Sequence, residues 1–287
     1  MTAATTVSER ALDRATILDR LRQTVASGDP IIAVAAGAGI VAKCAEVGGA
    51  DLIVVECTGR SRHLGVPTTV TLGNANTTTL QLYRQIDNVV DRTPIVGGAE
   101  ATDPTRRRLS GLLREYQQAG FDGIGNFPTV GALPNWGRAR SDVGHGIERE
   151  SELIALARRA GMFTVGFAYA ADQARALSAA GADVLVARCG VTAGGLSGPA
   201  AALLDKPAAA ALVQEILEAA RAEQPEILVL AHGGPWVTPE DTDELYAQTD
   251  AQGFLGESSI ERIPIETAVA EAAREYKRQP LRASARG

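Results

Sequence analysis

The feature that most restricts this chain is a repeat. From residue 31 onward, a short apolar run ending in glycine or a polar residue is followed by a stretch of helix length with apolar residues at helical spacing, eight times over. The runs occupy 31–37, 52–57, 94–99, 123–127, 163–168, 184–189, 227–231 and 253–256. The helical stretches occupy 40–47, 78–90, 104–119, 148–160, 171–180, 207–222, 239–248 and 265–277. Continuous apolar strands are buried on both faces, and parallel strands joined by helices give either an open doubly wound sheet or a closed barrel. Eight units within about 250 residues favour the α/β (β/α)8 TIM barrel.

Residues 8–26 precede the repeat and place Ala11, Ala15, Leu18, Leu21 and Val25 at helical spacing with charges between them. This predicts an extra N-terminal helix that closes one end of the core. The expected organisation is a tail and capping helix over 1–30, one barrel over 31–279 and a tail over 280–287, with residues 1–7 the tail proper at the start. Three helices run into similar turns: Gly48-Gly49-Ala50-Asp51, Ala119-Gly120-Phe121-Asp122 and Ala180-Gly181-Ala182-Asp183. Glycine there supplies a left-handed helix end, and aspartate opens the next strand at the stability face of a barrel.

The 287 residues, 45% hydrophobic and 22% charged, suit a single large α/β domain and exclude a disordered or fibrous chain. A net charge of -6 and a pI near 5.3 give no basic field for nucleic acid or an anionic membrane surface. A small molecule or another protein is the expected partner. Cys44, Cys57 and Cys189 are odd in number and lack zinc or disulfide spacing, which suits a reducing compartment. Charges from Glu9 to Arg22 replace the apolar core of a signal peptide, and no run is long enough to span a membrane. Cytoplasmic location is therefore expected, and alanine-rich helices with few aromatics suggest a homo-oligomer.

In a barrel of this kind, chemistry belongs to the C-terminal strand ends and the loops after them. The seventh unit ends Ala231-His232-Gly233-Gly234-Pro235 and the eighth Gly256-Glu257-Ser258-Ser259. The glycines would let backbone approach a ligand, and Ser258 and Ser259 before a helix start would present hydroxyls and N–H groups to an anion. Their structural alternative is a helix N-cap with Glu261 near the capping-box position. Glu56 closes the second strand ahead of Thr58 and Arg60, as a candidate base or metal ligand or else as an ion-pair partner of Arg60 or Arg188. Asn126 could polarise a carbonyl or enolate oxygen, or could hold its own turn. Arg188 could clamp a carboxylate. The cysteines read as inert packing, and none of Lys43, Lys206 and Lys277 closes a strand, which disfavours a Schiff base. Gly37-Ala38-Gly39 is too common a turn to imply a dinucleotide.

Taken together, Ala42-Lys43-Cys44-Ala45-Glu46, Thr58-Gly59-Arg60, Asn126-Phe127-Pro128-Thr129-Val130-Gly131, Thr192 through Gly195, His232-Gly233-Gly234-Pro235 and Gly256 through Arg262 resemble the phosphoenolpyruvate hydrolase-like TIM-barrel family, from about Ile17 to Lys277. That family is related to the phosphoenolpyruvate mutase and isocitrate lyase group. The resemblance implies hydrolysis or lysis of a C–C, C–P or C–O bond beside a 2-oxo acid or enolate, although the family also contains barrels described as signalling or antiviral domains. Members more often carry uncharged residues at Glu56 and Glu257 and histidine at Arg188, which implies a changed substrate. The acidic cluster that holds magnesium in the mutase and lyase relatives is not evident after the third and fourth strands.

The resulting expectation is a lyase or hydrolase acting on a small anionic carbonyl compound. Catalysis falls to His232, Glu257, Glu56 and Asn126, and substrate binding to Arg188, Ser258, Ser259, Gly233, Gly234, Thr58 and Arg60. No cofactor follows from the residues, and a divalent metal such as magnesium between Glu56 and Glu257 is kept open. The alternative is a non-catalytic barrel that binds a metabolite and signals, favoured if arginines neutralise both carboxylates.

Overall fold

The computed structural model describes residues 12–68, 72–133 and 135–281. The expected tail at 1–7, residues 282–287 of the expected tail at 280–287, and the start of the first predicted helix at 8–11 lie outside the described residues. Eight parallel strands close into a barrel in sequence order: β1 (Ile31–Ala35), β2 (Leu52–Val55), β3 (Ile95–Gly98), β4 (Gly123–Gly125), β5 (Phe163–Ala168), β6 (Val184–Arg188), β7 (Leu228–His232) and β8 (Gly253–Gly256). The ring shuts where β1 pairs with β8, Ile32 opposite Phe254 and Val34 opposite Gly256.

Strand periodicity of two sorts the core. Ile31, Ala33, Leu52, Val54, Val96, Phe163, Val165, Val184, Val186, Leu228, Leu230 and Leu255 fill the interior. Their neighbours Ile53, Val55, Ile95 and Ile124, and Leu185, Val229 and Phe254, face the helices in two outer clusters.

Helix α1 (Arg14–Ala26) starts at Asp13, whose carboxylate accepts from the Thr16 N–H at 2.7 Å. Ile17, Leu18 and Leu21 join the interior cluster, and Arg14 donates to Asp183 at the start of β6, so α1 plugs the N-terminal end of the barrel. The recurrent glycine and aspartate turns have a shared mechanism. Gly49, Gly120 and Gly181 all take left-handed φ values, and the following aspartates Asp51, Asp122 and Asp183 accept from the N–H of Ile32, Ile95 and Thr164 on the preceding strands.

The barrel helices are α2 (Gly39–Val47), α3 (Thr58–His63), α4 (Ala75–Asp87), α5 (Leu109–Ala119), α6 (Gly137–Asp142), α7 (Ile147–Arg159), α8 (Ala171–Ala179), α9 (Lys206–Glu223), α10 (Asp241–Gln248) and α11 (Arg262–Arg278). The eight predicted helices are all present, with shifted ends. Helix α5 begins at Leu109 and not at 104, because Asp103 accepts from Thr105, Asn74, Asn76 and Arg106 and holds the preceding residues in a turn. The short α3 and α6 lie in the loops after β2 and β4, where helix-length periodicity gave no warning. Among the residues of α11 only Arg262 is buried, so this eighth helix projects from the ring. Among the described residues no helix is long and apolar enough to cross a membrane.

Candidate active site

Strand parity carries the inward register past the strand ends. Leu52 and Val54 are followed by Glu56, Val184 and Val186 by Arg188, Leu228 and Leu230 by His232, and Leu255 by Glu257. All four polar side chains are buried at the C-terminal mouth. Arg188 Nη1 donates to Glu257 Oε1 at 2.7 Å, and its Nε donates to the Tyr169 hydroxyl at 2.9 Å. Its guanidinium carbon stands 5.0, 5.7 and 5.5 Å from the ring centres of Phe127, Phe167 and Tyr169, an aromatic box. Nη2 makes no hydrogen bond among the described residues, and Arg188 lines an open cavity of about 500 Å³ together with Thr58, Glu100, Arg140, Glu257 and Ser258.

A second arginine, Arg62 on α3, organises the carboxylates. Its Nη1 lies 3.0 Å from Glu56 Oε1 and 3.7 Å from Glu257 Oε2, and its Nε donates to Glu261 Oε2. The other oxygen of Glu261 accepts from the Gly37 N–H at 2.9 Å. Thr58 Oγ1 donates to Glu56 Oε1 at 2.6 Å. Burial, then the charge of Glu257, push the Glu56 carboxyl up to about 7. Burial also works to raise Glu257, but the adjacent Arg188 wins and holds it at about 2. Burial and Arg188 push His232 down to about 4, a neutral imidazole at pH 7.

The structure does not gather all the expected residues. Asn126 shares the outward parity of Ile124 and points into the helix layer, where its Nδ2 donates to Glu150 and its Oδ1 accepts from the Phe167 N–H. Both ends of its amide are occupied, and an enolate-polarising role does not fit. Arg60 lies in an outer groove with Thr77, Arg84 and Arg106, away from the mouth, and the partner of Glu56 is Arg62 in place of Arg60 or Arg188. Gly233 and Gly234 do have positive φ, but a Cβ on Gly233 would come 2.1 Å from the Gly190 carbonyl oxygen. Their freedom lets the β7 loop pack on the β6 loop and does not admit a ligand. Ser258 and Ser259 do not cap a helix: α11 starts at Arg262, and the N–H groups of Ile260 and Glu261 already donate to the Glu257 carbonyl. Ser258 lines the cavity, whereas the buried Ser259 hydroxyl has no hydrogen-bond partner.

Three contributors escaped sequence reasoning. Glu100 continues the inward parity of Val96 and Gly98 onto the cavity wall, and burial, then Asp103, raise its carboxyl. Parity alone could have found it. Arg62 and Glu261 had no such signal, since both come from outside the strands. Cys57 and Cys189 are buried thiols pushed up to about 12 and about 11 by burial, which agrees with inert packing.

Magnesium does not fit between Glu56 and Glu257. Glu56 Oε1 and both oxygens of Glu257 face the guanidinium groups of Arg62 and Arg188, which a cation would have to displace. Among the described residues Glu56 Oε2 alone of these oxygens is without a partner, and no group of three or more His, Cys, Asp or Glu side chains could hold a metal ion.

A closed parallel barrel whose C-terminal mouth opens into a cavity lined by Arg188, Arg140, Glu100 and Glu257 defines a (β/α)8 protein with a charged pocket where this fold carries its chemistry. The chain belongs to the phosphoenolpyruvate hydrolase-like family, whose model matches residues 16–279. It is 37% identical over 269 residues to the ToMV resistance protein Tm-1(GCR237) of Solanum lycopersicum, covering 92% of this chain and 35% of that protein. It is 32% identical over 280 residues to a putative transcriptional regulatory protein, y4pA, of Sinorhizobium fredii, covering 92% of this chain and 44% of that protein. The chain thus spans less than half the length of these curated relatives. Among solved structures, phosphonopyruvate hydrolase in complex with oxalate and Mg++ matches with a TM-score of 0.55 at 19% identity over 91% of this chain and 87% of that one. Oxaloacetate acetylhydrolase with its product oxalate matches with a TM-score of 0.59 at 14% identity, covering 95% and 91%. At these identities the structural likeness speaks for the fold.

Proposed function

We propose that this barrel is a lyase or hydrolase acting on a small 2-oxo acid or related enolate-forming anion. The observation that carries the reading is the Arg188 guanidinium, fixed by Glu257, Tyr169 and three aromatic rings with Nη2 left for a ligand in the cavity. A carboxylate of the substrate would pair with Arg188 and the Ser258 hydroxyl. Glu257 and Glu100, which both line the cavity, are the carboxylates placed to hold or move a proton beside the bound carbonyl. The names of the structural neighbours, built on phosphonopyruvate and oxaloacetate, point to the same substrate class.

One observation favours the second reading, a barrel that binds such an anion without turnover: Arg62 and Arg188 neutralise both Glu56 and Glu257. Assays of oxaloacetate, phosphonopyruvate and phosphoenolpyruvate for product release, alongside thermal shift with oxalate, separate the two. Turnover that depends on Arg188 supports the first reading. Oxalate stabilisation without turnover supports the second, and neither response removes both.

The same chain is proposed to act as a homo-oligomer. An apolar groove of about 650 Å³ between α2 and the root of α11, lined by Ile40, Val41, Cys44, Ile260 and Ile265, leaves the outer side of β1 at Ile32 only half-buried. The proposed occupant is the same face of a second copy, packed two-fold: the α11 stripe Ile265, Ala268, Val269, Ala272 and Tyr276 of each copy lies along the groove of the other, whose own wall includes Ile265, Ala268 and Val269.

A further inference from the structure

One fully buried carboxylate lies outside the mouth, in the helix layer. Glu150, in the first turn of α7, accepts three hydrogen bonds: from Asn126 Nδ2 at 2.6 Å and Thr129 Oγ1 at 2.7 Å on one oxygen, and from the Val130 N–H at 2.7 Å on the other. Every donor comes from residues 126–130, and Phe127, Pro128, Thr129 and Val130 form one wall of the cavity. Asn126 extends the chain of bonds inward, donating to the Phe167 carbonyl at 3.2 Å while accepting from the Phe167 N–H at 2.7 Å. Phe127 and Phe167 then meet edge to face, with centroids 5.5 Å apart, and together pack against the Arg188 guanidinium, 5.0 and 5.7 Å from its carbon.

A buried charge is a costly way to pin a loop, because its desolvation must be offset by hydrogen bonds before anything is gained. What a carboxylate offers is acceptance of several donors at fixed angles, which an amide or apolar group cannot match. We propose that Glu150 is a positioning residue for anion recognition: it holds the 126–130 segment, and through Asn126 the backbone of Phe167, so that both rings keep Arg188 in place with Nη2 facing the cavity. Glu150 touches no ligand and acts through the aromatic box. The ligand-binding part of this inference rests on the proposed function, whereas the placement of Arg188 does not.

Glu150→Gln is the test, since it keeps the size of the side chain but turns an NH2 group toward donors. In a 1H–15N spectrum of arginine side chains, the Arg188 Nε–Hε signal is identified by its loss in Arg188→Lys. In folded Glu150→Gln that signal is expected to move away from its ring-shifted position, while the Nε–Hε signal of Arg14, which is bound to Asp183, stays. Oxalate affinity is expected to fall by about ten-fold. Thr129→Val, which removes one donor, gives a smaller change in the same direction and decides the matter if Glu150→Gln does not fold. An unmoved Arg188 signal in a folded variant overturns the proposal whether or not oxalate binds. A wild-type protein that ignores oxalate counts against the proposed function alone.

Discussion

His232 turns Nε2 toward Glu257 Oε1 at 3.3 Å, while its Nδ1 lies 2.9 Å from the Leu255 carbonyl oxygen. A carbonyl only accepts, so Nδ1 carries the proton, and the neutral ring meets the carboxylate lone pair to lone pair. The missing hydrogen bond at Nε2 has this origin. The expected 15N spectrum at pH 7 is that of a neutral Nδ1–H tautomer, with His232 titrating near the value of about 4 set by burial and Arg188. A charged imidazole at pH 7 would contradict this arrangement.

Arg188→Leu removes both the proposed anchor for the substrate and the counter-charge of Glu257. It is expected to lower kcat/KM, or oxalate affinity if there is no turnover, by about ten- to a hundred-fold. Unchanged values would place anion binding elsewhere in the cavity.

Arg62→Met strands Glu56 and Glu261 without their shared cation. Breaking a buried pair by removing one partner costs about 3–5 kcal/mol, and urea unfolding is expected to show a loss of that order. Adding Glu56→Gln to Arg62→Met should recover part of it. Equal stability in the single variant and the wild type would mean that the network contributes nothing net.

Stability is expected to decline modestly as pH rises from 5 to 7.5. Glu56 and Glu150 are both raised to about 7, chiefly by burial, so the folded state holds their protons more tightly than the unfolded chain. Their contribution is complete below the ordinary carboxyl value of 4.5 and is lost as pH rises through about 7. Charges facing them are Glu257, Arg62 and Arg188 for Glu56, and Arg140 for Glu150. His232, lowered to about 4, opposes the trend between about 4 and 6.5, but one group works against two. Thermal midpoints across this range provide the measurement, and a steady rise with pH would refute it.

If α11 docks on a second copy, Val269→Glu should convert a dimer into a monomer in sedimentation velocity without changing helix content. A wild-type protein that is monomeric at tens of micromolar would exclude that assembly.

The barrel was legible because its signal is periodic: eight apolar runs, each followed by a helix, admit few topologies. Parity also made Glu56, Arg188, His232 and Glu257 legible as mouth residues, and counting one step further would have excluded Asn126 and added Glu100. What sequence could not supply was pairing. Arg62 sits on a six-residue helix too short for a periodic signature, and Glu261 reads as a capping residue until its two oxygens are seen on Arg62 and Gly37. The Gly233-Gly234 turn misled for a related reason, since backbone freedom beside an active site can serve loop packing as readily as a ligand.

The bond from Gly37 to Glu261 joins residues separated by 224 positions, and the contact of Arg62 with Glu261 spans 199. On a ribosome, the first loop and Arg62 therefore emerge long before their anchor. Until the eighth unit arrives, the nascent barrel has an open edge and Arg62 lacks two of its three carboxylates, Glu257 and Glu261. The mouth thus cannot be completed until the eighth unit has arrived, and a chain cut short before residue 257 would hold most of the hydrophobic core yet have no finished site.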